Sequence, residues 1–129
     1  MEAETRLLQL AGELAALPIG DGVAPALRAL AGAHAPGAPL PRAMAEAWLQ
    51  SRGDKIAMLA LAWARERLRL TLEELLARTP IRGTLPGAAE TRSWLILAAC
   101  EAMALEPPSA VADRLRSLLE LTGHGPDRA

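Results

Sequence analysis

The chain has 129 residues, 51% of them hydrophobic, and a formal net charge of −1; this is the size of one domain, and folding buries roughly two thirds of the unfolded surface without help from a disulfide or metal. The excess of apolar residues is Ala and Leu, which favour helix, while Val, Ile and alternating stretches are scarce, so a sheet is excluded and an all-α fold of about six helices is expected. No basic stripe stands out, and Trp48, Trp63 and Trp94 are the only aromatic residues, which excludes direct nucleic-acid binding through phosphates or stacked bases.

The first helix reads from Glu2 to Leu17, where Leu7, Leu10, Leu14 and Leu17 recur at three- and four-residue steps. Residues Met1 to Arg6 lack the basic-then-apolar order of a signal peptide. Pro18, Gly20 and Gly22 stop the helix. A second helix reads from Gly22 to Ala31, capped by Asp21, with Val23, Leu27 and Leu30 as its apolar face. Gly32 to Pro39 reads as a loop. The third helix starts near Pro41, a good first-turn residue, and sets Leu40, Met44 and Trp48 on one face before Gly53 ends it.

The fourth helix is the longest, from Asp54 to Arg78, with Asp54 as its cap. It carries two apolar rows: Ile56, Leu59 and Trp63, and then Leu61, Leu68, Leu72 and Leu75. Arg65, Arg67 and Arg69 alternate around it and read as solvated. Thr79-Pro80 ends it. A fifth helix follows from Gly87 to Leu105. From Trp94 onward its only charge is Glu101, so it reads as buried on most sides, in part by a second subunit. The apolar stretch Trp94 to Cys100 falls far short of the ~20 residues that span a bilayer, so no membrane association is expected. Pro107 and Pro108 separate it from the sixth helix, which sets Val111, Leu115, Leu118 and Leu119 on one face and ends at Gly123. The single domain thus divides into three shorter helices over residues 1–53, a long helix plus a two-helix hairpin over 54–123, and a frayed tail over 124–129.

Candidate chemistry is sparse. His34 and His124 sit in Gly/Pro-rich segments without metal-ligand spacing, and both read as solvated. Cys100, the one cysteine, lies in the most apolar helix, where a thiol acts as a small hydrophobe and its pKa rises. A lone cysteine also suits a reducing compartment, and a cytoplasmic location is expected. Ser51, Ser93, Ser109 and Ser117 lack a nucleophile setting. Gly20-Asp21-Gly22 lacks the Lys-Ser/Thr of a phosphate loop. No enzyme activity and no cofactor are expected. Met44, Trp48, Met58 and Trp63 are either the wall of a cavity for a small apolar ligand or plain core. Glu101 is either a polar group in that cavity or at a dimer seam, or part of a solvent strip with Glu90, Ser93 and Ala104.

The stretch from Asp54 to Gly123 resembles the C-terminal part of TetR-family transcriptional regulators. The segments that carry the likeness are "RERLRLTLEELLARTPIRGTLPG" (Arg65 to Gly87), "AAETRSWLILAACEAMALEPP" (Ala88 to Pro108) and "SAVADRLRSLLELTG" (Ser109 to Gly123). The family's leading helix-turn-helix has no counterpart here. The resemblance implies a TetR-like helical bundle that senses a small apolar effector and forms a homodimer through its last two helices, with Trp94, Leu97, Leu105, Leu115 and Leu119 at the interface. Met44, Trp48, Met58, Trp63 and Glu101 would then serve the ligand. The alternatives are a helical protein-interaction module, adaptor or inhibitor, without ligand, and a lipid- or quinone-binding helper of TetR-like fold.

Overall fold

The computed structural model describes residues 2–18, 22–79 and 83–123. Those residues form six α-helices and one 3₁₀ turn, with no strand among them: α1 (Glu2–Ala15), α2 (Ala24–Ala33), α3 (Pro39–Gln50), α4 (Lys55–Arg78), α5 (Ala89–Ala102), the turn Met103–Leu105, and α6 (Pro108–Leu121). The all-α expectation therefore holds. No helix among them is long and apolar enough to cross a membrane.

The boundaries follow local chemistry. The carboxylate of Asp54 accepts the Ala57 N–H at 3.1 Å, which caps α4 as its sequence position predicts. Proline opens α3 and α6 in their first turns, where its missing N–H costs nothing. Several boundaries depart from the sequence reading: α1 stops at Ala15 rather than Leu17, and α2 and α5 begin two residues later than expected, at Ala24 and Ala89. α2 runs through Gly32 to Ala33, α3 begins two residues before Pro41, and α5 gives way to a 3₁₀ turn at Met103. Asp21, read as a helix cap, lies outside the described residues, as do Pro80, His124 and the tail.

α4 is the axis of the fold. α1 packs along one flank, α5 along the other, α3 lies on α1, and α2 bridges α1, α5 and α6. The facing row of α4 (Leu61, Leu68, Leu72, Leu75) is buried with Leu76 and Ala64, and it meets Leu7, Leu10 and Leu14 of α1 and Ile96 and Leu97 of α5 in one core. Burying a leucine of this kind stabilises by about 2 kcal/mol. α4 has 24 residues against 14 in each flanking helix, about 36 Å against about 21 Å. It therefore outreaches its neighbours: no residue from Lys55 to Ala60 is buried.

The segment between α4 and α5 returns to α6. Leu85 N–H donates to the Leu121 carbonyl at 3.1 Å. Beside it, Gly83 approaches that same backbone so closely that an added Cβ would overlap the Leu121 carbonyl oxygen.

Candidate functional site

Two features stand out around α4: a polar seam between α4 and α5, and an apolar face on another side of α4.

The seam rests on two arginines one helical turn apart. Arg65 donates through Nε and Nη2 to both oxygens of Glu101, each at 2.6 Å. Arg69 holds both oxygens of Glu66 at 2.7–2.8 Å and Glu73 at 2.8 Å, and its Nη1 also donates to Ser93 Oγ at 2.9 Å. Ser93 Oγ in turn donates to the Glu90 carbonyl at 2.7 Å. Since Arg65 meets residue 101 and Arg69 meets residue 93, α4 and α5 run antiparallel. Hydrogen bonding to Glu101 raises the pKa of Arg65, bonding to Glu66 and Glu73 raises that of Arg69, and the Arg69 guanidinium lowers that of Glu66. Fork-to-carboxylate geometry of this kind fixes orientation as well as charge.

This corrects the sequence reading of the arginines. Only Arg67 is fully solvated; Arg69 is buried and Arg65 half-buried, because residues 65 and 69 are four apart and face α5 together. Glu101, left between a cavity and a solvent strip, is a half-buried ion-pair partner. Ser93 is buried rather than exposed.

His34 is also buried, not solvated. It follows the last turn of α2, and its Nδ1–H donates to the Leu30 carbonyl at 2.8 Å. Burial pushes its pKa below the ordinary histidine value, while the Leu30 carbonyl and the Glu101 carboxylate act the other way. Burial likewise pushes the Cys100 thiol up to about 12, with Glu101 adding to the effect. A thiol so placed is a poor nucleophile. Among the described residues no group of three or more His, Cys, Asp or Glu could hold a metal ion.

The apolar face is the other row of α4. Ile56 is 82% exposed, Leu59 69% and Trp63 61%. On the last turn of α3, Leu49 is 66% exposed and Trp48 is exposed as well. The connection between the two helices is only residues 51–54, tied by the Asp54 N–H to the Ser51 carbonyl at 2.9 Å. These five side chains therefore belong to one end of the molecule. The signal lay in the sequence: Ile56 to Ala64 is nine residues without a polar side chain, and a helix apolar all round is one that something covers.

Of the residues expected to hold a ligand, Trp48, Met58 and Trp63 stand at the surface and Met44 is half-buried against the core. Of those expected at a dimer interface, Trp94 and Leu105 are exposed, and Leu115 and Leu119 are half-buried against the core. Leu97 is fully enclosed by its own chain and has no surface to give a partner. Within α5, Ser93, Ile96, Leu97 and Cys100 are buried by the chain itself. α6 packs on α2, and a cleft of about 300 Å³ opens between α6 and the end of α5. Ala99, Ala102, Met103 and Leu118 line it, with Glu106 and Arg114 at the rim.

Comparison with protein-family models, curated proteins and solved structures finds no match to this chain.

Proposed function

We propose that this chain is a helical protein-interaction module whose working surface is the exposed row Ile56, Leu59 and Trp63 with Trp48 and Leu49 beside it. The observation that carries this reading is the division of α4 into two apolar rows: one closes the core, and the other faces outward. Large contiguous apolar patches on soluble domains mark association sites. Aromatic and aliphatic anchors of this kind supply most of the binding energy at such sites. A photo-reactive amino acid at Leu59, introduced in living cells, is expected to give covalent protein adducts, while the same group at exposed Glu13 on α1 gives none. Equal labelling at both positions, or none at Leu59, would contradict the reading.

A TetR-like effector-sensing domain of a transcriptional regulator is the second reading. It is favoured by the apolar cleft of about 300 Å³ between α5 and α6, at the small end of the usual range for ligand sites. Met44, Trp48, Met58, Trp63 and Glu101 are not among the residues that line it.

A further inference from the structure

Resting on the interaction reading, we propose that the occupant of the α4 face is a second copy of this chain, packed α4 against α4, antiparallel, about a two-fold axis near Leu59 and Trp63. Spacing is the first support. Ile56, Leu59 and Trp63 follow a three-then-four step, and the same step leads on to Glu66 and the partly exposed Leu70. This is the seam that one straight helix offers to another, with each side chain entering a hole on the partner.

Area is the second. Trp48, Leu49, Ile56, Leu59 and Trp63 expose together on the order of 650 Å², taking roughly 200 Å² for a fully exposed large side chain. A stable complex buries about 800 Å² per partner. The α4 row of Ile56, Leu59 and Trp63 supplies about half of that, and Trp48, Leu49 and the polar residues at the margin complete it. Because α4 outreaches its neighbours at this end, a second helix can approach without meeting α1 or α5.

Charge sets the direction. From Ile56 to Ala64 the helix carries no charge; Lys55 precedes the stretch, and Arg65, Glu66 and Arg67 follow it, with both Glu66 oxygens held by Arg69. Parallel packing sets Lys55 against Lys55 and aligns the two helix dipoles unfavourably. A two-fold axis through the seam makes the patch its own complement and closes the assembly at two copies.

The test is the mass of the full chain in solution by sedimentation equilibrium, joined to cysteine cross-linking. The wild-type chain is expected at twice its 13.6 kDa, and the double variant Leu59→Glu, Trp63→Glu at the single mass with its helix content unchanged. The expected loss of affinity is roughly 100-fold or more. A cysteine at Leu59, close to the axis, is expected to form an intermolecular disulfide, and one at Lys55 is not. The reverse pattern would overturn the antiparallel arrangement. A dimer that survives the double variant would overturn this interface. A wild-type monomer whose Leu59 nevertheless cross-links to a different protein in cells would overturn self-pairing and leave the interaction reading standing. A monomer without any adduct would defeat both.

Discussion

A single arginine distinguishes what a helical sequence shows from what it hides. Arg65, Arg67 and Arg69 look alike in the sequence, yet Arg69 is buried on Ser93 and two carboxylates while Arg67 is in water. The spacing of 65 and 69 says that they share a flank; nothing local says that α5 packs on it. Glu101 and His34 were illegible for the same reason, because their surroundings are built by helices distant in sequence. His34 has a measurable consequence. Its folded pKa lies below the ordinary 6.5, so the unfolded chain binds the proton more readily. Its contribution to stability is complete above that value and is lost as pH falls from 6.5 toward the lowered folded pKa. Glu66, whose pKa is lowered by Arg69, loses its contribution at more acidic pH, in the carboxylate range. Urea midpoints of the wild type are expected to fall between pH 7.5 and 5.5, and those of His34→Gln to change less across the same interval. Parallel curves would show that His34 does not carry the dependence.

Helices were more legible than residues. The leucine steps of α1 and α4 identify both elements and their core-facing rows, and Asp54 caps α4 where the sequence places it. The misread boundaries lie where composition is ambiguous: Gly32 continues α2 because alanines surround it, and α5 tightens into a 3₁₀ turn although Met103 to Leu105 still reads as helix-forming. What the spacing could not show was the docking of the segment after α4 onto the end of α6. Gly83 is required there by contact, since a Cβ would meet the Leu121 carbonyl and the Gly123 nitrogen, both backbone atoms that cannot swing aside. Gly83→Ala is expected to cost about 1–3 kcal/mol, the usual penalty for forcing extra volume into a packed site. Chemical denaturation would measure it. An unchanged midpoint would mean that this segment is not held against α6.

At the scale of the molecule, the six-helix bundle was readable from composition and periodicity, but which apolar surface is left over was not. The sequence directs attention to Trp94–Leu105 as the helix in excess of what one chain can cover. In the structure α5 buries Ser93, Ile96, Leu97 and Cys100 within its own chain and leaves Trp94 exposed, while the longer run of uncovered apolar side chains lies in the first half of α4. Both helices are rich in apolar residues; the difference arises because α5 is as short as its neighbours and α4 is not.

The central claim, that the two rows of α4 serve different purposes, is tested most directly by unfolding free energies measured at high dilution, where association does not contribute. Leu68→Ala, in the buried row, is expected to lose about 3 kcal/mol, and Leu59→Gln with Trp63→Gln, in the exposed row, less than about 1 kcal/mol. A loss of several kcal/mol from the exposed pair would mean that these side chains belong to the core of the chain, and would contradict the account.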